Sequence, residues 1–310
     1  MINSDMKKGV GYSIAASVLF AVLYYYATIL KPLEGSEIFA WRVILGFPAL
    51  AFVIHRLQRW REVRSVGERF LKDPRYLMLQ LVCSAVFGVQ LWLFVWAPLH
   101  GMALDVSMGY FLMPLVMVLA GRLFFKEKLS PLQRWAVAIA SVGVLHELWA
   151  TWSFSWATAL VAFGYPPYFI LRRYLKIGSL PALFYDFGFL LLPAFYILNH
   201  QDLSLLTQLS QWPRLYWLIP VFGLISSLAL LGYLSASRLL PLGLFGILGY
   251  VEPILLFWVA FLLLGESVQP QDWWTYIPIW LAVVLVAFEG FWAWQLELKY
   301  ARYRKKAKPR

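Results

Sequence analysis

The sequence predicts an all-α integral membrane protein: ten transmembrane helices forming two five-helix repeats of inverted topology, both termini cytoplasmic. Three observations carry this. Of the 310 residues, 61% are hydrophobic and 14% charged, whereas a soluble domain holds about a quarter charged residues. Ten apolar stretches approach the roughly 20 residues that a spanning helix requires. Finally, one hairpin occurs twice: Pro114, Glu127, Pro131 and Trp135 recur at a constant offset as Pro253, Glu266, Pro270 and Trp274. The first glutamate sits in Lys126-Glu127-Lys128 and the second in Gly265-Glu266-Ser267. Basic residues mark the cytoplasmic side, so the copies are expected on opposite faces of a bilayer.

In chain order, the first stretch (9–30) follows Lys7 and Lys8. Its apolar run is too long for a cleaved signal, so it reads as a retained anchor. The second (36–55) holds Arg42 and leads into the loop RLQRWREVRSVGERFLKDPR at 56–75. That loop reads as a solvated basic segment enforcing topology; Trp60, Val63 and Phe70 allow a short helix on anionic headgroups as the alternative. The stretches 76–97, 103–123, 131–149, 152–171, 180–199, 214–235, 241–263 and 274–295 follow on short connections, and 298–310 is a basic tail. Tryptophans such as Trp149, Trp152, Trp212 and Trp217 fall near helix ends, as an interfacial belt requires.

With the N-terminus inside, this threading puts all of the 27 Lys and Arg except Lys31, Arg42 and Arg214 on the cytoplasmic side. Losing or adding a helix scrambles that pattern, so charge supports the count independently. The net charge of +11 is then topology and lipid contact rather than nucleic-acid binding. Ten helices divide at 1–150 and 151–310, and an odd-numbered repeat inserts its second copy upside down. Pro48 and Pro193 correspond in helices 2 and 7. Inverted repeats with a midplane site are a transporter architecture.

Several classes are excluded. The lone Cys83 permits no intramolecular disulfide. His55, His100, His146 and His200 are scattered, so no metal set is visible. No HExxH, GxSxG or phosphate-binding glycine loop occurs, and no cofactor is expected.

The segments Gly109-Tyr110-Phe111-Leu112-Met113-Pro114-Leu115, Gly121-Arg122-Leu123-Phe124-Phe125-Lys126-Glu127 and Leu239-Leu240-Pro241-Leu242 carry a resemblance. With Trp41-Arg42, Leu93-Phe94-Val95-Trp96-Ala97, Ser107, Leu171-Arg172-Arg173 and Gly265-Glu266, they resemble the EamA group of the drug/metabolite transporter superfamily, RarD type. The resemblance spans essentially the whole chain. It implies a cavity lined by helices 1–4 and 6–9, helices 5 and 10 being peripheral. It also implies export or exchange of small organic solutes across a bacterial inner membrane. The chain departs from the group at Trp41, Met113, Gly249 and Glu252, and at Leu99 and His100.

A charge at mid-bilayer costs about 2.5–3.5 kcal/mol on insertion scales and lines a pathway or pairs with a partner. Glu252, at the middle of helix 9 before Pro253, is the deepest and suits proton exchange or binding of a cationic group. Its alternative is a structural pair with Arg42. Arg42, two turns into helix 2, is the candidate for anion recognition; Glu37 near the entrance is another partner. Asp186 lines a cavity or sits at the interface near Arg172 or Arg173. Asp105 is expected to cap helix 4, with pathway lining as its alternative. Gln90, Ser107, Tyr110 and Tyr250 are polar liners. Pro114 and Pro253 are hinge candidates at repeat-related positions. Glu127 and Glu266 read as hairpin features outside the membrane core.

The expected activity is secondary transport by alternating access, with protons as candidate coupling ion and a homodimer compatible with the reading. A membrane-embedded enzyme lacks a clustered nucleophile–base or metal set. A membrane sensor or assembly subunit has no need of the inverted repeat.

Overall fold

A chain this apolar must satisfy its backbone polar groups within each segment, which helices do and open strands do not. The computed structural model describes residues 4–126, 130–151, 155–200, 205–240, 245 and 248–306, and among these it holds helices and no strand. Glu127, Lys128, Trp152, Pro241 and Leu242 lie outside the described residues. The helices are α1 (Ser4–Ile29), α2 (Gly35–Arg56), α3 (Trp60–Lys72), α4 (Pro74–Trp96), α5 (Ala103–Phe125) and α6 (Pro131–Thr151). They continue as α7 (Trp156–Leu175), α8 (Ser179–Asn199), α9 (Leu205–Gln211), α10 (Leu215–Leu239), α11 (Val251–Trp258) and α12 (Trp273–Lys306). Six of them (α1, α2, α4, α5, α8 and α10) are long and apolar enough to cross a membrane, while Val251–Leu263 and Trp273–Glu289 are shorter apolar helices.

Local signals set the ends. α2 begins with a capping box in which Glu34 N–H donates to Glu37 Oε2 at 2.7 Å. Asp73 accepts from Arg75 N–H ahead of α4, whose first residue is Pro74, where the missing donor costs nothing. Lys126 and Lys176 close α5 and α7 in the left-handed conformation, at φ 55° and 51°.

Two elements differ from expectation. The basic segment 56–75 is not a solvated loop: it folds as α3, which buries Val63, Val66 and Phe70 on one face. That spacing is an amphipathic stripe, and the stripe meets protein, with Phe70 edge-on to Tyr185 at 4.9 Å and Trp60 edge-on to Phe184 at 5.5 Å. The expected helix 9 is not one continuous rod either. Its path is interrupted by a turn at Gly249–Tyr250, α11 starts at Val251, and a π-helical turn follows at Val259–Leu263. Pro253 explains the break, because it cannot donate to the carbonyl one turn earlier. By contrast, the α5 backbone runs unbroken through Pro114.

In the bundle, α2 packs on α8, α5 on α11 and α6 on α12. Helix α1 packs on α10, and α7 on α4; α10 contacts α2 as α4 contacts α8; α5 meets α7, and α1 meets α11. Small residues permit the close approaches, as in membrane bundles generally. A Cβ built on Gly109 lies 2.6 Å from Val161 Cβ and 2.9 Å from the Thr158 carbonyl oxygen. The latter is backbone and cannot turn aside, so Gly109→Ala must part α5 from α7. The expected cost is about 1–3 kcal/mol, read as earlier denaturant unfolding in detergent; unchanged unfolding contradicts the tight α5–α7 contact.

Candidate functional site

The centre of the bundle is built around Arg42, two turns into α2. Its side chain is only 5% exposed, and the guanidinium carbon stands 4.9 Å from the centroid of the Phe94 ring on α4. Such a contact supplies up to about 2 kcal/mol when desolvated, which helps an apolar bundle hold a cation. Its Nη1 is buried without a hydrogen-bond partner. Glu37 is not its partner: that carboxylate caps α2 and accepts from Gln208 Nε2 at 2.8 Å. Glu252 forms no direct ion pair with Arg42, yet the two charges are near enough to act on each other and on Tyr110 and Tyr165.

Glu252 occupies the first turn of α11, not the middle of an unbroken helix. The positive end of a helix dipole favours a carboxylate there, which the sequence position alone did not reveal. The Tyr110 and Tyr165 hydroxyls are 3.2 Å apart across α5 and α7, and Tyr110 meets Phe94 edge-on at 6.3 Å. Tyr110, Tyr165 and Glu252 keep part of their surface accessible, whereas Arg42 and Phe94 are buried. Gln90, one turn before Phe94, donates to the Leu160 carbonyl at 2.7 Å and leaves its own Oε1 unpartnered. The centre thus offers a free cationic donor, a free amide acceptor and the carboxylate of a part-buried glutamate, set among aromatic rings.

Other candidates lie elsewhere. Ser107 is fully buried and donates to the Leu104 carbonyl within its own helix, so it does not line the centre. Tyr250 is buried at the break before α11. Asp186 does not line an open cavity. It is fully buried, forms an ion pair with Arg172, and accepts from Gln80 Nε2 and Ser84 Oγ, each at 2.8 Å, and from Tyr168 at 3.2 Å. Arg172 Nη1 also donates to Gln80 Oε1 at 2.7 Å. This network ties α4 to α7 and α8 near the end of the bundle that carries α3. Sequence reasoning named Arg172 as a neighbour but missed Gln80 and Ser84; their i, i+4 spacing on an otherwise apolar helix was the available signal.

Asp105 is not the cap of α5. The residue before the helix, Met102, supplies no side-chain cap. Instead Glu266, from the turn after the π segment, accepts from Ala103 N–H at 2.8 Å and Leu104 N–H at 2.7 Å. Asp105 faces a cavity of about 320 Å³ that also involves Glu147, Thr158, Glu266 and Thr275. Thr275 donates to Glu147 at 2.8 Å, and Thr158 to the Asp105 carbonyl at 2.8 Å. Among the described residues no three His, Cys, Asp or Glu side chains are placed to hold a metal ion.

The membrane-length apolar helices make this a multi-pass membrane protein, and its relatives define the class further. The model of the EamA-like transporter family matches residues 7–146. Over 91% of the chain, the sequence is 45% identical to the chloramphenicol-sensitive protein RarD of Pseudomonas aeruginosa, of which 94% is covered. It is 40% identical to an uncharacterised transporter of Pasteurella multocida, covering 92% of this chain and 97% of that one. A solved crystal structure at 15% identity superposes with a TM-score of 0.51 over 94% of this chain and 99% of its own, a likeness of fold. The chain belongs to the EamA-like transporter family, and its similarity to RarD places it with the RarD type.

Proposed function

We propose that this protein is a secondary transporter that exports or exchanges small organic metabolites or drugs by alternating access. Arg42 recognises an anionic group, and Glu252 binds either a proton or a cationic group of the solute. The observation that carries this reading is the Arg42 guanidinium, buried over Phe94 with Nη1 unpartnered and with the part-buried Glu252 within electrostatic reach. An ionisable group kept at such depth with a donor left unused marks a functional site by default.

In this reading the chain crosses a bacterial inner membrane ten times as two inverted repeats, 1–150 and 151–310, with both termini cytoplasmic. The packing supports it. Exchanging α1 with α7, α2 with α8, α4 with α10, α5 with α11 and α6 with α12 turns α1–α10 into α4–α7, α5–α7 into α1–α11 and α2–α10 into α4–α8, and leaves α2–α8, α5–α11 and α6–α12 in place; the α2–α4 contact is not reproduced. The family match at 7–146 covers nearly the whole of the first repeat. Pro253 and Pro114 serve as hinges, the broken α11 moving more than the continuous α5.

Purified protein in liposomes, screened against a solute panel with an internal pH dye, tests the proposal. Solute-driven proton movement is expected in the wild type and at least a tenfold loss in Glu252→Gln, equivalent to about 1.4 kcal/mol. Equal proton flux in the mutant removes Glu252 as the coupling group. If no solute moves in the wild type, the transport reading itself fails. Chloramphenicol belongs in the panel because a similar Pseudomonas protein is named for sensitivity to it.

A further inference from the structure

Helix α3 joins α2 to α4, two membrane-length apolar helices, by connections of three residues and one residue. It therefore cannot leave the membrane surface. At about 1.5 Å per residue it runs for roughly 20 Å, and its apolar stripe is committed to protein. Tyr185 donates to the Val63 carbonyl at 2.9 Å, and Arg69 donates to the Leu175 carbonyl at 3.3 Å while lying 4.4 Å from the centroid of the Tyr76 ring. Arg59 pairs with Glu62. Three other basic residues of α3, Arg61, Arg64 and Lys72, are exposed, as is Arg75 in the first turn of α4, and none of their side chains has a partner among the described residues. Glu68 is the exposed carboxylate on the same helix, so this face keeps a net positive charge.

One apolar side chain stands among them. Leu71 is 87% exposed, and the 100° helical step sets it beside Arg64 and next to Lys72. The apolar contacts of α3 are already made on its other face, so Leu71 is not a stray core residue. A large apolar side chain flanked by free cations at the edge of a bilayer matches the chemistry of an anionic phospholipid: phosphates for the charges, acyl chain for the leucine.

We infer that the outer face of α3, with the first turn of α4, is a docking surface for anionic phospholipid headgroups, with Leu71 entering the acyl boundary and Arg61, Arg64, Lys72 and, from α4, Arg75 holding phosphates. Occupancy has a consequence for the bundle. Through Tyr185, Phe184 and the Leu175 carbonyl, α3 grips the ends of α7 and α8, and Tyr185 adjoins Asp186 of the closed polar network. Lipid held on α3 steadies that end of the molecule.

The test places an environment-sensitive fluorophore on Leu71→Cys, with Cys83→Ala so that the label is unique. Emission is compared between vesicles of neutral phosphatidylcholine and vesicles containing phosphatidylglycerol. The expected result is a blue shift with the anionic lipid that fades as salt rises. Arg64→Gln weakens the response about fivefold, and the fourfold Gln variant at 61, 64, 72 and 75 abolishes it. Arg61→Lys with Arg64→Lys keeps the response, which separates charge from misfolding. Emission that is the same in both lipids overturns the inference. So does a shift produced in neutral vesicles by soluble glycerol phosphate, which identifies a site for a free anion instead.

Discussion

Asp186→Asn is expected to lower stability by about 3–5 kcal/mol, the cost of removing one partner from a buried ion pair. The carboxylate is fully buried, and the Arg172 side chain is 11% exposed, so water screens the pair weakly. In the wild type, Asp186 accepts from Gln80, Ser84, Tyr168 and Arg172 at once. The asparagine carbonyl retains some of these bonds but not the charge. Arg172 is then left with neutral partners for its buried cation: Gln80 Oε1, the Ala182 carbonyl and the Tyr168 ring. Denaturant unfolding in detergent measures the loss, and Asp186→Asn with Arg172→Gln should recover much of it, because both charges are then gone. A loss below about 1 kcal/mol in the single variant means that the charge pair does not secure this junction of α4, α7 and α8.

Glu266→Ala carries the second large effect, about 2–4 kcal/mol for two charge-assisted hydrogen bonds in a part-buried setting. Its carboxylate caps α5 from a turn more than 160 residues away in sequence, so losing it frays α5 and also loosens the α11–α12 connection. Helix α5 has no local substitute, since Met102 carries no capping group. Glu266→Gln keeps one carbonyl oxygen and should show about half the loss. Amide hydrogen exchange at Ala103 and Leu104 is the specific readout: both should speed up in Glu266→Ala. Protection that survives the substitution would falsify the capping role.

Glu266 and Asp105 show why the sequence names residues more readily than roles. Asp105 lies at the position where a carboxylate commonly caps its own helix, and the local pattern assigned it that part. The actual cap comes from a distant turn, and no local pattern reports which distant carboxylate reaches two amide protons. Arg42 and Glu252 were legible for a different reason. A charge inside an apolar run is costly wherever the helix packs, so its presence alone marks it. What was not legible was that Glu37 is committed to Gln208 and that Arg42 rests on Phe94, facts that depend on α4 and α9. Tyr165 went unnoticed because one tyrosine among 17 carries no signal until it meets Tyr110.

Hydropathy alone located the six membrane-length apolar helices, since hydrocarbon admits backbone only when its hydrogen bonds close within about 20 residues of the same segment. The motifs alone assigned the family. Tertiary structure decided that 56–75 is a docked amphipathic helix, that the chain breaks before α11, and which charges are satisfied. Those outcomes turn on distances of a few ångströms between residues far apart in the chain. Hydrogen bonds and desolvated charges depend steeply on such distances, and a linear pattern of apolar residues does not encode them.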